Sequence, residues 1–314
     1  MSFEATFYNQ SFFNVNFALM NGILVIDKPE GWTSHDVVAK CRKILKTRRI
    51  GHTGTLDPFA TGVLVLLVGK ATRLAQFLSK NEKEYIAEVS FGFETETGDK
   101  TGKIKENTRC NDFRIKKERI RETLNAFLGE IEQIPPMFSA KKVQGKKLYE
   151  FARKQIEIER KPVKIKIYGI DLLKIEEKSI TLRIVCSSGT YVRTFAEDIG
   201  KKLGVGAHLS ALRRMRVGKF DLSKAVTPEK LEEICRQSKL NDFLFPMNEI
   251  PLEFPKLILD KSNVDRVKNG ASLRIETHKN SADGDMVCLL DVQKNLVAIG
   301  KISHGLIQPK VVLV

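Results

Sequence analysis

GHTGTLDPFATGVL, residues 51–64, sets three glycines, His52 and the carboxylate of Asp57 between two apolar runs. Taken alone, Asp57-Pro58 reads as a turn, because Asp bonds the backbone ahead and Pro fixes φ. A lone His52 reads equally well as a structural histidine. The flanks constrain the segment further. Upstream, Gly22–Asp27 is a short apolar run closed by Lys28-Pro29-Glu30-Gly31, which predicts a strand and a turn. Thr33 and Ser34 then offer N-caps to a helix carrying Val37, Val38, Cys41, Ile44 and Leu45 at helical spacing. Downstream, Val63–Val68 is another apolar run. The acid therefore sits in a loop between regular elements.

Further on, a helix is expected through Leu74, Phe77 and Leu78, a strand over Tyr85–Phe93, and a polar loop over residues 94–103. Ile120, Leu124, Phe127 and Leu128 mark a helix that Pro135-Pro136 ends. Strands are expected over 163–173 and 180–187. Ser188-Gly189 then turns the chain into a helix with Val192, Phe195, Ile199 and Leu203 on one face, and Gly204 is placed to stop it. After Pro246 and Pro251 the pattern changes to short strands and turns, which predicts a small β-rich module over 251–314. These elements alone support only the α+β class.

The chain of 314 residues has room for about two domains. Its 53 Lys+Arg against 38 Asp+Glu give a net charge of +15, which favours a polyanionic partner, nucleic acid first and an anionic membrane second. Residues 251–314 hold 9 basic and 7 acidic side chains, so residues 1–250 carry +13. The densest stretch, 141–166, has ten Lys or Arg against Glu150, Glu157 and Glu159, and reads as a solvated helix face or a polyanion contact. The five cysteines make no CxxC pair, which argues for reduced thiols, a cytoplasmic setting and no structural zinc. No run approaches the ~18 apolar residues of a membrane span. Residues 1–19 lack the basic start of a signal peptide and are read as a start-site extension or a loose arm.

A phosphate loop is excluded. It needs Gly five residues before the Gly69-Lys70 pair and Ser or Thr after it, where this chain has Leu64 and Ala71. The whole constellation is more specific. Asp27-Lys28-Pro29, the GHTGTLDPFATGVL segment, Tyr85, Gly189-Thr190-Tyr191-Val192-Arg193, Gly206-Ala207-His208-Leu209 and Leu212-Arg213-Arg214 together resemble the TruB family of RNA pseudouridine synthases, in its bacterial, tRNA-modifying branch.

That resemblance implies a mixed, mostly antiparallel central sheet with flanking helices over residues 20–250. It also implies a PUA-like RNA-binding module over 251–314. It implies isomerisation of uridine at position 55 of tRNA, in the T-arm loop, on a flipped-out nucleotide, with no cofactor and no metal. Asp57 is then the catalytic carboxylate, Arg193 its partner and Tyr85 the aromatic beside the base. Tyr191 and Leu212 wall the pocket, His52 lies against RNA, and Lys28 and Pro29 brace the loop. Residues 138–160 resemble a mobile thumb, in which Lys141, Lys142, Lys146 and Lys147 meet phosphates while Phe138 and Tyr149 offer aromatic surface. The implied partner is tRNA, bound by a monomer that needs no other protein.

Overall fold

The computed structural model describes residues 20–106, 113–143, 145–274 and 282–314. The expected arm, 1–19, and Cys110 lie outside the described residues. In chain order, the strands of the first part are β1 Gly22–Lys28, β2 Ile50–His52, β3 Thr61–Val68, β4 Lys83–Phe91, β5 Gly129–Gln133, β6 Lys142–Val143 and β7 Lys146–Lys147. They continue with β8 Val163–Ile175, β9 Ser179–Cys186, β10 Ala207–Val217, β11 Phe220–Asp221 and β12 Leu244–Pro246. The helices are α1 Ser34–Ile44, α2 Ala75–Leu78, α3 Lys117–Asn125, α4 Leu148–Ala152, α5 Val192–Leu203, α6 Pro228–Arg236 and α7 Lys261–Lys268.

The large sheet runs β12-β1-β3-β10-β4-β9-β8-β5, with β2 on β3 and β11 on β10. Only the β3–β10 contact along this path is parallel, joining Arg213 to Thr61 and Arg214 to Gly62. The expected mixed, mostly antiparallel sheet is present. β1 from Ile23 to Ile26 and β3 from Val63 to Val68 are unbroken apolar runs because both faces are covered. Leu24, Ile26, Leu64 and Leu66 pack with Val37, Val38 and Cys41 of α1 and with Leu231 and Ile234 of α6. The alternate residues Ile23, Val25, Val63 and Val65 face Leu74, Leu78 and the C-terminal strands.

β4 alternates, with Lys83, Tyr85, Ala87, Val89 and Phe91 buried. The face that includes Tyr85, Ala87 and Val89 shares a core with Phe195, Ala196 and Ile199 of α5 and with Ile120 and Leu124 of α3. α5 lies close on β10 because residue 200 is glycine: a Cβ there would meet the Ala207 nitrogen at 2.4 Å. The helix stops at Gly204, whose φ of 79° suits a left-handed cap.

A second sheet follows, from strands β13 Lys256–Ile258, β14 Leu273–Arg274, β15 Met286–Leu290, β16 Leu296–Ser303 and β17 Leu306–Val312, ordered β13-β15-β16-β17-β14. It forms the curled C-terminal half-barrel. Cys288, Leu290, Ile299, Val311 and Leu313 join the core beneath β1 and β3, so the two sheets share a buried seam.

Several elements differ from the sequence expectation. The helix through Leu74, Phe77 and Leu78 is a 3-10 turn over Gly69–Leu74 followed by the single turn α2. β5, β10, α6 and α7 are additional. The 141–166 stretch is not one solvated helix but the β6–β7 hairpin, the five-residue α4 and irregular chain leading to β8. No helix among the described residues is long and apolar enough to cross a membrane.

Candidate active site

The segment between β2 and β3 looks mobile from its glycines, yet polar side chains pin it along its length. Arg214, 2% exposed on β10, donates from Nε to the Val63 carbonyl at 2.7 Å. The same guanidinium reaches the carbonyls of Thr55 at 3.3 Å and Gly54 at 3.0 Å. Ser34, at the start of α1, accepts from the Leu56 amide at 2.9 Å and donates to its carbonyl at 3.2 Å. Lys28 is fully buried, and its ammonium donates to the carbonyls of Pro29 at 2.8 Å, Trp32 at 2.6 Å and Pro58 at 3.1 Å. Burial lowers its pKa to about 8. Lys28 thus ties the Asp27-Lys28-Pro29 turn to the underside of the loop and presents nothing to a ligand.

At the crest of the loop Asp57 meets Arg193, in the first turn of α5. Nε donates to Oδ2 at 2.9 Å and Nη2 to Oδ1 at 3.2 Å, the two-pronged geometry a guanidinium offers a carboxylate. Two further donors of Arg193, one on each terminal nitrogen, go to the carbonyls of Thr97 at 2.7 Å and Phe138 at 2.8 Å. The Arg193 side chain is 5% exposed while Asp57 keeps 34%. Burial pushes the Asp57 carboxyl above its ordinary value, and the Arg193 guanidinium pulls it partway back. A second acid, Asp99, lies 3.8 Å from Arg193 Nε and adds to the upward push.

Asp57 opens into a cavity of about 340 Å³. Tyr85, Tyr191, Leu212 and Arg193 line it, with Lys83, Lys141 and Arg214. Tyr85 is 7% exposed on β4, and burial raises the pKa of its phenol. Tyr191 precedes α5, and its backbone is held on both sides by Gln133: its amide donates to Gln133 Oε1 at 2.8 Å, and Gln133 Nε2 donates to its carbonyl at 3.0 Å.

Of the sequence-predicted residues, Asp57, Tyr85, Arg193, Tyr191, Leu212 and Lys141 therefore meet at one cavity. His52 stands outside its lining, edge-on to His35 with ring centroids 5.8 Å apart, and burial lowers its pKa to about 4, so it is neutral at pH 7. Lys142 and Lys146 sit on the β6–β7 hairpin. Lys147 lies 5.4 Å from the Tyr149 ring centroid, with Arg153 at 5.3 Å from the same ring. Phe138 reaches the site through its carbonyl. Sequence reasoning gave no role to Arg214, Gln133, Asp99 or Lys83. Asp99 carried one legible signal: it stands between Thr97 and Thr101, and its carboxylate accepts from both hydroxyls at 2.8 and 2.6 Å, a local turn pattern.

A solved structure titled "Crystal Structure of a Cbf5-Nop10-Gar1 Complex" matches 93% of this chain and 85% of its own with a TM-score of 0.73 at 30% identity. Another, "Structure of H/ACA RNP bound to a substrate RNA containing 2'-deoxyuridine", matches with a TM-score of 0.71 at 28% identity, covering 93% of this chain and 85% of its own. Sheet, flanking helices and half-barrel define the pseudouridine synthase fold.

Sequence comparison narrows the class. A family model described as the TruB family pseudouridylate synthase N-terminal domain matches residues 42–192, and one described as the tRNA pseudouridylate synthase B C-terminal domain matches 193–250. The tRNA pseudouridine synthase B of Solibacter usitatus is 42% identical over 94% of this chain and 100% of its own length. That of Bacillus cereus is 44% identical over 82% of this chain and 85% of its own. The chain belongs to the TruB family of pseudouridine synthases, and it is an enzyme of the tRNA-modifying kind.

Proposed function

We propose that the enzyme converts the T-arm uridine at position 55 of tRNA to pseudouridine, with Asp57 acting on a nucleotide flipped into the cavity. The observation that carries this reading is the forked Asp57–Arg193 pair at the edge of a cavity that also holds Tyr85. The reaction breaks the bond from ribose C1′ to uracil N1 and makes one from C1′ to C5. One hydrogen leaves C5 and one joins N1, so no atom is gained and no electron is exchanged. The protein has to hold a detached base, exclude water and supply one oriented carboxylate.

Arg193 fixes that orientation, because two of its donors hold Asp57 while two others are tied to backbone carbonyls. Tyr85 packs on the base near the C5 hydrogen, and Tyr191 and Leu212 close the walls. Flipping the uridine costs a few kcal/mol of lost stacking, which phosphate contacts offset. Lys141, Lys142, Lys146 and Lys147 on the thumb supply them, with Phe138 and Tyr149 as apolar surface, and His52 as a neutral ring against the RNA. Lys28 and Pro29 act from behind, through the loop. The half-barrel over 251–314 serves as a PUA-like grip on another part of the tRNA. The enzyme works as a monomer without a protein partner.

A T-arm stem-loop carrying tritium at uracil C5 tests the proposal directly. Folded protein should release the label without guide RNA, while Asp57→Asn should bind the stem-loop and release none. Label release by Asp57→Asn at the wild-type rate would overturn the role of Asp57, and no release by the wild type would overturn the function.

A further inference from the structure

Lys83 occupies a place where an apolar side chain is expected. It lies two residues before Tyr85 on the same buried face of β4 and is 6% exposed. Its ammonium donates to the carbonyls of Ser79, at 2.8 Å, and Asn81. No carboxylate pairs with it among the described residues; the ionisable neighbours acting on it are Arg214 and the Cys186 thiol, and burial lowers its pKa to about 8. An ammonium has three donors, so one is uncommitted. A desolvated cation without a counter-ion is costly, and two carbonyl dipoles offset only part of that cost.

The surroundings indicate what completes it. Lys83 lines the same cavity as Asp57 and pairs with Cys186 across β4–β9, so Ser187 and Ser188 follow at its side. Thr53 and Ser79 add hydroxyls to the lining, where the Thr190 hydroxyl already donates to the Ser187 carbonyl, and the cavity's one carboxylate, Asp57, is bound by Arg193. A cation, several hydroxyl donors and no acid suit a phosphate better than a base edge. We infer that the Lys83 end of the cavity is a phosphodiester subsite, holding the RNA phosphate next to the target uridine while Asp57 faces its ribose. This rests on the proposed function and adds to it a residue that sets where the backbone enters.

The test is a cycle between protein and RNA. Binding is measured with Asp57→Asn protein, which stops turnover, and T-arm stem-loops in which each phosphate flanking the target uridine is replaced singly by a neutral methylphosphonate. At one flanking position the replacement should weaken binding about tenfold, the loss of one charge-assisted hydrogen bond. Adding Lys83→Met should abolish that penalty, because both changes remove the same contact. Lys83→Gln, which keeps donors for the Ser79 and Asn81 carbonyls but no charge, should do the same and serves if the Met variant does not fold. If the penalty persists in full in both variants, Lys83 only caps the turn after α2 and the subsite is refuted. Absence of any stem-loop binding by the Asp57→Asn protein would sink the functional proposal and this subsite with it.

Discussion

Arg193 holds Asp57 by two hydrogen bonds of 2.9 and 3.2 Å although 136 residues separate them in the chain. The same guanidinium ties down the backbone at Thr97 and Phe138, so three separate segments converge on one side chain. Lys cannot replace it, since an ammonium is a point donor without the planar fork. Arg193→Lys should therefore fold and lose at least ~100-fold in single-turnover rate, in line with the cost of misplacing a reacting group. Arg193→Met should also destabilise the protein, by less than the ~3–5 kcal/mol of a fully sealed pair, because Asp57 stays a third exposed. Thermal unfolding beside rate measurement separates the two effects.

The raised pKa of Asp57 sets a pH signature. The carboxylate form is the active one, so the rate should fall as pH drops through the folded pKa, at a pH above the ordinary aspartate range. Removing Arg193 should move this acid limb higher still, since burial then acts unopposed. Stability has the opposite sign. The native state binds this proton more tightly than the unfolded chain, so Asp57 favours folding at low pH and that contribution is lost as pH rises through its folded value. Single-turnover rates across pH check the claim, and an acid limb at the ordinary aspartate value would contradict it.

Gly62, the second residue of β3, follows the catalytic loop at φ +100°, and a Cβ there would lie 2.2 Å from the Arg214 carbonyl oxygen. Gly62→Ala should cost about 2–4 kcal/mol, combining backbone strain with a clash against a strand that cannot yield. Gly204→Ala is the control. It has φ +79° with nothing within 4 Å of the added carbon, so it should cost only about 1–2 kcal/mol. Equal losses in melting temperature would show that the contact with Arg214 is unimportant.

The same region marks the limit of what the sequence reveals. Thr33 capping α1, the apolar runs of β1 and β3, and the Gly204 stop were all legible, because each is a local preference written in a few residues. β10, which lies at the centre of the sheet, was not. AHLSALRRMRV carries three arginines, and two register shifts, at Leu209/Ala211 and Arg214/Arg216, break its alternation. Arg214 is buried there because it has backbone carbonyls to satisfy, and no periodicity announces such partners. The Asp57–Arg193 pairing came from resemblance to a family, since no spacing rule spans 136 positions. Asp99 stayed hidden in a loop read only as polar.

Gln133 makes the last case, where a residue far from the chemistry should control it. It ends β5, is 1% exposed, and closes a ring of two hydrogen bonds with the Tyr191 amide and carbonyl. Tyr191, the N-cap of α5, makes no side-chain cap hydrogen bond, so Gln133 holds the residue just before the helix, two positions before Arg193. Gln133→Leu matches the volume but leaves both backbone groups without that partner, at a cost of about 1–3 kcal/mol each if they stay buried. Gln133→Glu keeps one acceptor for the Tyr191 amide and loses the donor to its carbonyl, so it should fall between. If the residue works by placing Tyr191 and Arg193, kcat should drop while stem-loop affinity measured through the thumb and the half-barrel changes little. A fall in stability with kcat intact would instead make Gln133 a packing residue, and would show that the start of α5 is held well enough without it.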